Sequence, residues 1–135
     1  MGRCCETSVE LEIPFHDVDP MRVVWHGHYY KYLELARTEL LRSRGLDVGD
    51  LIGERFRLFV IESRCRYTYP LRYADRARIT AWVRDTRRRI VIGYEISNLS
   101  RDRRSAKAQT VLATVDADEN LLLETPDEIQ CCLRG

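Results

Sequence analysis

One helical period interrupts a chain that otherwise alternates with period two. Tyr29, Leu33, Ala36 and Leu40 recur at helical spacing, flanked by Tyr30 and Leu41. Lys31, Glu34, Thr38 and Arg42 take another side, and Gly45 offers a left-handed stop after Arg44. Ahead of this stretch Val9, Leu11, Ile13 and Phe15 alternate with Ser8, Glu10, Glu12 and Pro14. That pattern predicts a half-buried strand which Pro14 demotes to an edge or a bend. After the helix come four further alternating runs, at residues 58–69, 76–84, 90–96 and 105–117. Polar turns at 85–89 and 98–104 join the last three, and turns this short imply antiparallel neighbours. A lone long helix buries its stripe by lying on one face of such a sheet. The predicted fold is therefore α+β, a five-stranded antiparallel sheet around one long central helix. The connector 46–57, with DVGDLIGER inside it, has room for a further helical turn. Thr125-Pro126-Asp127-Glu128 reads as a capping box opening a short C-terminal helix through Leu133.

At 135 residues the chain reads as a single domain spanning 1–135. A net charge of +1 supplies no field for nucleic acid or an anionic membrane. No apolar run approaches the ~20 residues that cross a bilayer, and the N-terminus MGRCCETSVE has no apolar signal core. The five cysteines fall as Cys4-Cys5, Cys65 and Cys131-Cys132, which suits neither a zinc site nor a secreted disulfide framework. The expectation is a cytoplasmic protein with reduced thiols, no metal and no membrane insertion.

Chemistry concentrates in residues 15–37, FHDVDPMRVVWHGHYYKYLELAR. Asp17, Asp19, His26 and His28 stand where a strand gives way to a helix, and helix starts leave backbone N–H groups unpaired. Carboxylates beside free donors and a histidine are the parts of a catalytic site.

This run, together with the element order, resembles the hotdog-fold thioesterases, above all the branch of 4-hydroxybenzoyl-CoA thioesterase and the Tol–Pal-associated acyl-CoA thioesterases. Their signature is roughly D-x-D-x-x-G-x-V-[YW]-[HYF]-x-x-Y. Asp17, Asp19, Val24, Trp25, His26 and Tyr29 match it, and the likeness continues through PLRYADRARITAWV into the last strand. Arg22 stands where the family has glycine. It either faces solvent or favours an acidic or polar acyl group. The resemblance implies hydrolysis of an acyl-CoA or acyl-carrier-protein thioester, with coenzyme A as part of the substrate and no other cofactor. Asp19 falls on the catalytic carboxylate, as nucleophile or as the base that activates water. His26 falls on an auxiliary residue that orients the carbonyl or the leaving thiolate. The oxyanion donor falls on the backbone N–H of His26 or a near neighbour. Arg87, Arg88 and Arg89 match a basic hairpin near the nucleotide end of coenzyme A, where they would hold phosphates. The family also implies a homodimer or homotetramer, with sheets paired edge to edge and the site at the interface.

Bland readings stand beside these. Asp17 reads as structural, holding the turn or the helix start, and His16 and His28 as strand-end and helix-entry residues. Tyr67, Tyr69 and Trp82 read as one face used for sheet packing or a subunit contact. Two alternatives to hydrolysis remain: a hydroxyacyl-thioester dehydratase, for which Glu34 is the residue to test, and a non-catalytic acyl-thioester binder.

Overall fold

The computed structural model describes residues 3–47 and 55–134. Alternation of apolar and polar residues places β1 (Cys4–Glu12), β2 (Arg55–Tyr67), β3 (Arg76–Asp85), β4 (Ile90–Asn98) and β5 (Arg103–Asp116) in one sheet. Its order is β1-β3-β4-β5-β2, with every neighbouring pair antiparallel. The strands on either side of the helix in sequence thus become the two opposite edges. Among the described residues the helices are α1 (His28–Ser43) and, near the C-terminus, the short α2 (Asp127–Cys132).

Helix α1 lies across β1 and β3. It buries Tyr29, Tyr32, Leu33, Ala36 and Leu40, the stripe expected from the spacing. The sheet answers with Ala77, Ile79, Ala81, Ile92 and Ile96, all sealed from solvent. Each fully buried Leu or Ile there contributes about 1.5–3 kcal/mol relative to exposure. Gly45 closes α1 at φ +75°. Its N–H reaches Arg42 O at 3.2 Å, and the Leu46 N–H reaches Leu41 O at 2.9 Å, the paired bonds of a Schellman stop.

Four expectations change on the structure. First, β1 ends at Glu12, short of Phe15. Pro14 has no N–H to give a ladder, and residues Phe15–Asp17 coil into a 3-10 turn that leaves Phe15 74% exposed. Second, the inward face of β2 is not one continuous phase. Val60 pairs with Leu112 and Glu62 with Val111, so Ile61 is an inserted residue. Phe56 and Leu58 face the core before this bulge and Cys65 after it, while Phe59 and Ile61 are exposed. Third, the capping box does not form, since α2 begins with no side-chain cap. Thr125 is buried, its N–H donating to Arg87 O at 3.0 Å and its hydroxyl to Arg88 O at 3.5 Å. Fourth, Trp82 parts company with Tyr67 and Tyr69. It packs on the outer side of the sheet, over Gly93, where an added Cβ would come within 2.8 Å of the indole. The helical turn expected within residues 47–55 lies outside the described residues, apart from its ends.

Candidate active site

The junction between β1 and α1 is fastened by Asp17. Its side chain is 2% exposed and accepts from Lys31 Nζ at 2.8 Å and from the Tyr32 hydroxyl at 2.6 Å. Its carbonyl accepts the Trp25 N–H at 3.1 Å. His16 and His28 approach the same carboxylate at 3.7 and 3.9 Å. Burial pushes the Asp17 carboxyl upward, but the hydrogen bonds from Lys31 and Tyr32 outweigh it and hold the group below its ordinary value. Burial, and then the Asp17 carboxylate, raise the Tyr32 hydroxyl far above its ordinary value. Every oxygen of Asp17 is thus engaged in holding the first turns of α1 to the 3-10 turn.

Asp19 is placed differently. The Asp19 N–H donates to Val23 O at 2.9 Å and the Arg22 N–H to Asp19 O at 2.8 Å, closing a tight loop. Among the described residues its carboxylate Oδ1 accepts only the Met21 N–H, at 2.8 Å. Arg22 sits in this loop at φ +67° with its side chain exposed. An L-residue rarely adopts that backbone conformation, whereas glycine does so freely. The loop therefore keeps the path that a glycine would take, and the arginine side chain is carried outward.

Asp19 and His26 share the wall of one cavity of about 380 Å³. Tyr29, Tyr67 and Tyr69 supply aromatic surface, with Val24 and Pro70 closing other sides. Tyr29 and Tyr67 meet edge to face at 4.8 Å, and the Tyr67 hydroxyl donates to His26 O at 3.0 Å. Burial, and then the neighbouring Cys65, hold that hydroxyl protonated well above its ordinary range. At the helix entry the His28 N–H turns back to Trp25 O at 2.9 Å and the Tyr29 N–H to His26 O at 3.3 Å. The His26 and Gly27 N–H groups donate to no acceptor among the described residues. Gly27 is required by a close approach, because a Cβ there would lie 2.1 Å from the Trp25 ring.

The arginine hairpin is not brought to this cavity within one chain. Pro70 borders the cavity and residues 71–75 lead from it into β3, whose ten residues then carry the chain roughly 30 Å, at about 3.3 Å per residue, before Arg87. Arg89 there donates to Leu122 O at 2.9 Å and Leu123 O at 3.2 Å, tying the hairpin to the C-terminal segment. Tyr67 and Tyr69, read from sequence as packing, line the cavity instead. Their signal was available: Tyr67 ends β2 on the phase of Cys65, and Tyr69 keeps that phase just before Pro70.

The family model of the thioesterase-like superfamily matches residues 13–132. The chain belongs to this superfamily. Its sheet-and-helix architecture is the hotdog fold. The structure of 4-hydroxybenzoyl-CoA thioesterase in complex with 4-hydroxybenzoyl-CoA superposes with a TM-score of 0.82 at 17% identity, over 95% of this chain and 98% of that one. A 1,4-dihydroxy-2-naphthoyl-CoA thioesterase from Synechocystis gives 0.79 at 20% identity, over 95% of each chain. Among sequence relatives, a Bacillus subtilis protein that bears an acyl-CoA thioesterase name is 29% identical over 90 residues, 66% of this chain and 65% of that protein. The Escherichia coli O157:H7 acyl-CoA thioester hydrolase is 32% identical over 65 residues, 48% of each. The matched stretches span about half to two thirds of these relatives.

Proposed function

We propose that this protein hydrolyses acyl-CoA thioesters in the Asp19 cavity. What carries the reading is the meeting of Asp19 and His26 on one wall, beside N–H groups with no acceptor of their own. A thioester carbonyl set against the His26 and Gly27 N–H groups would find donors aimed at the oxygen where charge builds, at the positive end of α1. The Asp19 carboxylate acts on the carbonyl carbon directly, forming an acyl-enzyme anhydride, or deprotonates the water that does. His26 steadies the carbonyl or the departing thiolate. The three tyrosines give the acyl group an aromatic wall. An acyl-carrier-protein thioester presents the same bond and is a second substrate class for the same site.

The working unit in this reading is a cytoplasmic homodimer or homotetramer. Among the described residues β2 pairs only with β5, and its open edge carries Phe59, Val60 and Ile61 at 46%, 39% and 45% exposure. Such an apolar free edge is a liability that a second copy would cover. Assembly would also offer a route by which Arg87–Arg89 of one protomer reach substrate held by another. A screen of short, long and aromatic acyl-CoAs with a thiol reagent tests the proposal. Turnover of at least one class is expected, and no thiol release from any of them would refute it.

A further inference from the structure

The Cys4-Cys5 pair is left unused by the site above, and the fold treats it unusually. Successive side chains of a strand point to opposite faces. Here Cys5 adopts φ +60°, and the ladder to β3 slips between Cys4 and Thr7. Both sulfurs consequently turn the same way. Cys4 Sγ and Cys5 Sγ stand 3.0 Å apart, and both point to Leu133 O, at 3.3 and 3.5 Å. A left-handed conformation is disfavoured for a non-glycine residue, so the arrangement is held against a local preference. A cation completes it. Arg44 Nη2 lies 2.8 Å from Cys5 Sγ and also donates to Arg134 O. No carboxylate pairs with Arg44 among the described residues, and its buried Nε has no partner.

We propose that Cys4 and Cys5 form a vicinal dithiol site that a hydroperoxide oxidises reversibly to a disulfide, with Cys5 as the attacking sulfur and Cys4 as the resolving one. The Arg44 guanidinium sets a cation beside the Cys5 sulfur, which reacts as its thiolate. That thiolate attacks the peroxide, an S–O bond forms as the O–O bond breaks, and the alkoxide or hydroxide takes up a proton. Cys4 then attacks the Cys5 sulfenic acid. The S–S bond forms, the S–O bond breaks, and water leaves with the Cys4 proton. Two thiols and one hydroperoxide thus give a disulfide, one alcohol (water from hydrogen peroxide) and one water. Burial and the adjoining Cys5 hold the Cys4 thiol above its ordinary value, which suits the partner that stays protonated until the second step. Adjacent Cα atoms across a trans peptide are ~3.8 Å apart, below the usual disulfide span, so the bond is readily reduced. Oxidation also removes both S–H donors from Leu133 O and loosens the end of α2.

The test uses the whole protein, treated with hydrogen peroxide, alkylated, digested and weighed. Cys131, exposed to solvent, is the internal control. The expected result is loss of two hydrogens and of both alkyl groups from the Cys4-Cys5 peptide, about tenfold faster than Cys131 is modified, and reversed by dithiothreitol. In Cys4→Ser, dimedone should trap a sulfenic acid at Cys5, while Cys5→Ser should leave Cys4 nearly unlabelled. The proposal is overturned if the pair reacts no faster than Cys131, if the disulfide joins Cys4 or Cys5 to Cys131 or Cys132, or if dimedone labels Cys4 in Cys5→Ser.

Discussion

Lys31 Nζ meets Asp17 Oδ1 at 2.8 Å, across fourteen residues of chain, and so separates the two aspartates of the D-x-D turn into different tasks. Asp17 is spent on architecture. Asp19, two residues on, keeps a carboxylate whose one donor among the described residues is the Met21 N–H.

Asp17→Ala should therefore damage the fold more than the chemistry. It leaves the buried Tyr32 hydroxyl without its acceptor, while Lys31, half exposed, returns to water. The expected loss is about 1–3 kcal/mol in urea unfolding, with turnover per folded molecule largely kept.

The same group sets an acid limb. The Asp17 carboxyl is depressed in the folded state, so its contribution is present above the unfolded value of about 3.9 and is lost as pH falls through the lower folded value. Urea midpoints of wild type and Asp17→Asn should differ clearly at neutral pH and converge in strong acid. An unchanged gap across that range would contradict the assignment.

Much of this arrangement was legible in the residues, and the exceptions have physical causes. The period of α1, its Gly45 stop and the five alternating runs all survive, because burial of one face enforces each pattern. The bulge at Ile61 was hidden, since apolar residues occupy both phases of β2 around Val60 and only strand pairing shows which one is inserted. The Thr125 box failed because its hydroxyl and N–H were claimed by Arg87 and Arg88, neighbours from a hairpin remote in sequence. That Asp19 and His26 would serve one site was a reading of motif resemblance, and both line one cavity. The inward phase of Tyr67 and Tyr69 was readable too, but not that they face the 19–26 loop, which comes about only when the chain at the end of β2 folds over it.

Arg22→Gly tests the loop. Glycine adopts φ +67° freely, and the exposed arginine side chain makes no hydrogen bond or ion pair among the described residues. A gain of about 0.5–1 kcal/mol in stability is expected, with kcat/KM unchanged. A marked fall in kcat/KM would mean that the guanidinium meets substrate.

Ile61→Lys tests the open edge of β2. A lysine at the inserted residue puts a charge into an apolar edge without disturbing the core, since Ile61 is already 45% exposed. Light scattering should show oligomer in the wild type and a shift to monomer in the variant. A wild type that is itself monomeric would remove the dimer from the account.

The central claim rests on one carboxylate. Asp19→Asn keeps an oxygen for the Met21 N–H, so the loop should stand and only the charge should go. Thiol release from the best acyl-CoA, followed in wild type and variant of equal stability, is the direct measurement. The account predicts a fall of about 10²- to 10⁴-fold in kcat, and a variant that keeps the wild-type rate would contradict it.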